Sequence, residues 1–180
     1  RYTARMITLE NIKQAQQQIS GVVIRTPLLP LKFYDRPETW LKCENLQRGG
    51  AFKIRGAYNK ISQLSDAAKA RGVVTASAGN HAQGVALAST RLGIEAHIVM
   101  GENTPSIKTN AVRSFGGKVI LHGDSYDEAA VHAASLAEEV TQALMKRIPA
   151  MPAVMSGSTP MALSRLAPPC TARIASAASL

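Results

Sequence analysis

Val73-Val74-Thr75-Ala76-Ser77-Ala78-Gly79-Asn80-His81-Ala82-Gln83-Gly84 decides how the chain is read. Its first residues form a compact apolar run of the kind buried in a parallel sheet. Gly79-Asn80 reads as a turn. Ala82, Val85, Ala86 and Leu92 then recur at helical spacing, and Gly93 closes that helix. The same alternation continues downstream. Ile94 to Met100 reads as a strand and Gly101 to Pro105 as a loop. Ser106 is expected to cap a helix carrying Ile107, Ala111 and Phe115, and Lys118 to Leu121 is the next strand. Ser125 and Glu128 form a capping box ahead of Ala129, Ala133, Leu136, Ala137 and Val140. Strands alternating with helices through short turns predict an α/β fold of three layers, a parallel sheet flanked by helices.

Upstream, Thr8 is placed to cap a helix with Ile12, Ala15 and Ile19, ended by Gly21. Thr26 to Leu31 reads as extended, because Pro27 and Pro30 forbid helix. Trp40 to Glu44 is a short strand candidate. Ile54, Ala57, Tyr58, Ile61 and Leu64 give one helical face, and Ser65 caps a second short helix that Gly72 stops.

Ligands of open parallel sheets bind beyond the carboxyl ends of the strands. Lys53, Ser77 and Asn80 all fall at or just past such ends. Lys53 stands in Gly49-Gly50-Ala51-Phe52-Lys53-Ile54-Arg55-Gly56-Ala57, at the mouth of a helix. The partial positive charge there favours anions and disfavours an ammonium. A lysine amine that gives up its proton can attack a carbonyl. By itself this is also what a solvated surface lysine looks like. Likewise, Gly79-Asn80 alone is only a turn.

The two blocks together resemble the N-terminal half of threonine dehydratase (threonine ammonia-lyase). That family belongs to the β-family, or fold type II, of pyridoxal-phosphate enzymes, with serine racemase and serine dehydratase. The likeness runs from about Met6 to Glu139, through Lys42-Cys43-Glu44-Asn45-Leu46-Gln47 and Gly116-Gly117-Lys118-Val119. It implies pyridoxal 5'-phosphate as cofactor and Lys53 as the Schiff-base lysine and acid/base on Cα. Phe52 would lie against the pyridine ring, or else simply pack in the core. The turn Ser77, Gly79, Asn80 and His81 would hold the substrate carboxylate, and Asn80 would also bond the cofactor's phenolic oxygen. His81 reads more readily as a turn residue than as a proton carrier.

The implied reaction is dehydration and deamination of L-threonine or L-serine to a 2-oxo acid and ammonia. A serine racemase-like activity and a non-catalytic fragment are the alternatives. Ala51 stands where the family usually has serine. Ala78 stands where serine racemase carries its second catalytic serine, which favours elimination over racemisation. The family's tetraglycine phosphate loop belongs to a second half that has no counterpart here, so the fold is read as truncated.

The chain has 180 residues, 46% hydrophobic and 18% charged, with a net charge of +9. Length and composition suit one packed domain. Residues 1–140 carry 17 basic and 12 acidic groups; residues 141–180 carry Lys146, Arg147, Arg165 and Arg173 and no acid. The basic residues are scattered without interleaved aromatics, so nucleic acid is not indicated as a partner. Cys43 and Cys170 are isolated, and His97, His122 and His132 lack ligand spacing, so no metal site is read. No apolar run reaches about 18 residues, and Arg1 to Arg5 has no apolar signal core. A cytoplasmic enzyme acting on a small amino acid is expected, with no nucleic-acid or membrane partner. Full-length members of the family are expected to form homo-oligomers. Met6 is read as the native start.

Residues 1–140 are assigned to the α/β region and 141–180 to an atypical, irregular tail. Pro152, Pro160, Pro168 and Pro169 break any period there, and the family likeness stops. A frameshift or misjoined end is the expected origin of that tail.

Overall fold

The computed structural model describes residues 6–31 and 39–147. Helix α1 (Leu9–Gln18) comes first, with Thr8 and Asn11 capping its start reciprocally. Strands β1 (Leu28–Pro30) and β2 (Trp40–Lys42) pair antiparallel, with Leu29 opposite Leu41. Two short 3-10 turns, Glu44–Leu46 and Arg48–Gly50, lead into α2 (Lys53–Ser62). Then follow α3 (Asp66–Arg71), β3 (Val73–Ala76), α4 (Asn80–Arg91), β4 (Ala96–Met100), α5 (Ser106–Ser114), β5 (Lys118–Leu121) and α6 (Tyr126–Arg147).

Strands β3, β4 and β5 form a parallel sheet in that order, Thr75 opposite Ile98 and Ile98 opposite Val119. Side chains alternate across a strand, so each strand feeds two cores. Val73, Ile98 and Met100 pack with Ile54, Ile61, Val85 and Val112 from α2, α4 and α5. Ala76 and Val99 pack on the other face with Ala129 and Ala133 of α6. The three expected layers are therefore present: helices, parallel sheet, helix. Helix α4 sits in the middle of the larger core, and its small residues Ala82, Gly84, Ala86 and Ala88 are all buried. Lying two apart, they alternate between opposite sides of the helix, and their small size lets α2 and the sheet approach its backbone.

Several boundaries differ from expectation. Ser106 is the first residue of α5, and the cap position is Pro105, which offers no side-chain cap. The Ser106 carbonyl instead accepts from the Thr109 hydroxyl at 3.0 Å. Ser125 caps α6 as expected, accepting from the Glu128 N–H at 3.2 Å, but the Glu128 carboxylate reaches back to the Asp124 N–H at 2.7 Å. Helix α6 continues past the boundary set at residue 140, through Arg147, the last described residue. Gln142, Ala143, Leu144, Met145 and Lys146 are all good helix formers, so nothing local stops it. The rest of the expected tail, residues 148–180, lies outside the described residues.

Candidate active site

Lys53 is the first residue of α2, and Phe52 before it supplies no side-chain cap. The chain enters through Gly49 and Gly50, whose φ angles of 78° and 68° are ones L side chains resist. Lys53 Nζ lies over the Phe52 ring, 5.0 Å from its centroid. That ring is 56% exposed, so Phe52 is not a core residue. It presents a flat apolar face beside the amine.

Ser77 is buried at the carboxyl end of β3, and its N–H donates to the Val99 carbonyl at 3.1 Å. Its hydroxyl accepts from the Gly79 N–H at 3.4 Å. Gly79 precedes α4 without a side-chain cap, and the first bond back to it comes from the Gln83 N–H at 3.4 Å. The amides of Asn80, His81 and Ala82 thus have no partner inside the helix. Together with the helix dipole they favour an anion at this turn. Asn80 is exposed at the first position of α4.

Helix packing brings the two blocks together. A Cβ placed on Gly84 would lie 2.9 Å from the Lys53 carbonyl carbon and 3.1 Å from its Cβ. Only a glycine one turn into α4 lets the lysine backbone sit this close. His81 is also near: burial first, and then the Lys53 charge, push its imidazole below the ordinary histidine range. His81 Nε2 is buried and has no hydrogen-bond partner. The remaining described histidines lie elsewhere, His97 bonded to Glu95 and His122 stacked on His132. Among the described residues no group of three His, Cys, Asp or Glu side chains could hold a metal.

The sequence names no partner for Arg55; in the structure it is Glu44. Arg55 Nε donates to Glu44 Oε2 at 2.9 Å and the guanidinium donates again to Oε1 at 2.8 Å. The Thr26 hydroxyl donates to the same Oε1 at 2.5 Å, and Lys42 Nζ donates to the Thr26 carbonyl at 2.6 Å. The fork-like contact with Arg55 comes first among the causes that hold the Glu44 carboxyl down at about 2. Neither role was assigned from sequence, although Glu44 sits in a block singled out for its family likeness. Gly84 was likewise passed over, since a glycine inside a helix shows its packing only in three dimensions.

The arrangement suits a carbonyl cofactor with an anionic ligand beside it. An amine stands at a helix mouth, next to an exposed aromatic face and an uncapped helix start. A buried imidazole nitrogen lacking a partner lies alongside. These residues fit the reactive end of pyridoxal phosphate. No run of four glycines to cradle its phosphate occurs in the sequence.

The family model described as pyridoxal-phosphate dependent enzyme matches residues 19–163. The chain belongs to that family. It is 46% identical over 141 residues to a catabolic L-threonine dehydratase of Staphylococcus aureus, covering 76% of this chain and 41% of that protein. It is 54% identical over 127 residues to an L-threonine ammonia-lyase of Thermotoga maritima, covering 69% and 32%. Among solved structures, the processed threonine deaminase isoform 2 of Solanum lycopersicum matches with a TM-score of 0.66 and 45% identity, over 75% of this chain and 39% of that one. Maize serine racemase matches with a TM-score of 0.70 and 34% identity, over 81% and 51%. The chain thus spans less than half the length of the curated relatives named here. Among the described residues no helix is long and apolar enough to cross a membrane.

Proposed function

We propose that this chain is the lysine-bearing part of an enzyme that dehydrates and deaminates L-threonine or L-serine to a 2-oxo acid and ammonia. The observation that carries the reading is the packing of the Lys53 backbone and Cβ against Gly84, one turn into α4 from its uncapped start. The names of the relatives at 46% and 54% identity support the substrate. Bound pyridoxal phosphate supplies the electron sink for the pair left on Cα. Lys53 would hold the cofactor through its amine, and Phe52 would stack on the cofactor ring. The Ser77 hydroxyl and the amides of Gly79, Asn80 and His81 would hold the substrate carboxylate. Asn80 would also donate its side-chain amide to the cofactor's phenolic oxygen. Once the substrate amine has displaced Lys53 from the cofactor, the freed Nζ would take the Cα proton and pass it to the departing β-hydroxyl, which would leave as water. Hydrolysis of the released enamine gives the 2-oxo acid and ammonia.

Ala78 packs partly against the core and offers no hydroxyl for a second proton transfer. Elimination is therefore favoured over racemisation. We place the enzyme in the cytoplasm, on the unpaired Cys43 and the soluble amino-acid substrate. We expect no nucleic-acid partner, and homo-oligomers for the complete enzyme.

A second reading is favoured by the lack of a four-glycine run: the chain alone holds the amine site but turns nothing over. Mixing the chain with pyridoxal phosphate and threonine and assaying 2-oxobutanoate separates the two. Product that disappears in Lys53→Ala supports the enzyme. No product beside an active full-length threonine dehydratase rules out catalysis by this chain alone. Lys53→Ala is expected to leave circular dichroism unchanged, because the side chain is not core.

A further inference from the structure

The first turn of α2 carries the amine but has no side-chain cap of its own. Something outside the helix must set its position. Gly84 of α4 supports one side. Arg55 lies two residues on from Lys53, about 200° round the helix at 3.6 residues per turn. Its side chain therefore leaves α2 on nearly the opposite side from the amine. There it meets Glu44 in a two-point contact and donates a further bond to the Ile24 carbonyl at 3.0 Å. Glu44 is held in turn by the Thr26 hydroxyl. Gln47, itself buried, clamps both the N–H and the carbonyl of Ile24 at 2.9 and 2.8 Å. The contact is well shielded, the Arg55 and Glu44 side chains being 28% and 17% exposed. A two-point guanidinium–carboxylate contact fixes angle as well as distance, which a lysine at the same place could not do.

We infer that Glu44 and Arg55 are positioning residues: their ion pair, anchored on Thr26 and Ile24, aims the first turn of α2 so that Lys53 faces the start of α4. The pair touches neither amine nor turn, and acts through the backbone of one helical turn. Its low proton affinity at Glu44 means that the contact persists at every pH at which the amine could work. The inference rests on Lys53 being the cofactor lysine.

The test is the rate at which pyridoxal phosphate attaches to Lys53. Amine and aldehyde condense with loss of water, borohydride adds hydride to fix the product, and the mass of the Lys53 peptide reports the extent. Three chains are compared: wild type, Glu44→Gln, and the double variant Glu44→Gln with Arg55→Met. Urea denaturation of each gives the folded fraction by which its rate is corrected. Glu44→Gln leaves Arg55 without its ionic partner and is expected to slow attachment at Lys53 at least tenfold. The double variant removes both partners, so stability recovers, while attachment stays slow. If attachment recovers along with stability, or never falls beyond the folded fraction, the pair is merely structural and the inference is overturned. If the wild-type chain itself takes no cofactor at Lys53, the cofactor-lysine reading fails and this inference falls with it.

Discussion

His81 shows how much one side chain can report. It is partly buried beside Lys53, and both effects disfavour its imidazolium. Its folded pKa lies below the unfolded value of about 6.5. The unfolded chain therefore binds the proton first, and stability falls as pH drops below about 6.5. His81→Gln is expected to flatten that fall, read as urea midpoints at pH 7.5, 6.5 and 5.5; equal slopes in both chains would mean that His81 is not held neutral. Glu44 has the opposite chemistry but the same sign. Its folded pKa of about 2 lies below the ordinary 4.5. The stability it contributes is full above 4.5 and is lost as pH falls toward 2. Asn80 is exposed, so its substitution should spare the fold. Asn80→Ala is expected to weaken cofactor binding by about 1–3 kcal/mol, the scale of one lost hydrogen bond to a ligand in a shielded site. Equilibrium titration with pyridoxal phosphate measures it, and an unchanged affinity would leave Asn80 a turn residue. Ser77 and Asn80 were legible because β3 of the parallel sheet runs into them, but Lys53 follows no strand of that sheet: β2 before it belongs to the antiparallel pair, and Lys53 joins the turn only through the packing of α2 on α4. The Arg55–Glu44 pair was not legible, since its members lie in segments that share no period and are joined only by the fold.

Helices α2 and α4 pack closely beside the site. Gly84 is the reason, and its small size is needed for space, not for backbone freedom. Gly84→Ala would drive a methyl to 2.9 Å from the Lys53 carbonyl carbon, where backbone and not a side chain must give way. The expected cost is about 1–3 kcal/mol, the usual range for an overpacked core, together with weaker attachment of cofactor at Lys53. A variant as stable as wild type would show that α2 moves away freely. Ile61, fully buried on the same helix, serves as the contrast. Ile61→Ala should cost about 2–5 kcal/mol through the cavity it leaves. At this scale the sequence was read well wherever period 3.6 or a compact apolar run was present. The start of α5 was misread by one residue, because Pro105 at the cap has no sequence signal as strong as the serine that follows it. The pairing of β1 with β2 was not foreseen. Two three-residue strands with all side chains exposed carry no alternation to read.

Across the described residues, the sheet of β3, β4 and β5 carries α4 and its opening turn past β3, and the packing of α2 on α4 brings Lys53 beside that helix. The fold class followed from strand–helix alternation, and the family model and structural neighbours agree with it. Helix α1 shows where alternation alone falls short. Its apolar positions Leu9 and Ile12 are exposed at 67% and 57%, so a helical period there did not mean burial. The same distinction applies to chemistry, because a lysine block and a turn block in sequence say nothing of their separation in space. Packing of Gly84 on Lys53 supplies that separation. The direct measurement is a peptide map of the wild-type chain after treatment with pyridoxal phosphate and borohydride. Label concentrated on the peptide that contains Lys53, at cofactor levels where Lys42 and Lys60 stay unmodified, is the predicted result. Label spread evenly over the exposed lysines, or none at Lys53, would contradict the assignment of this lysine to the cofactor.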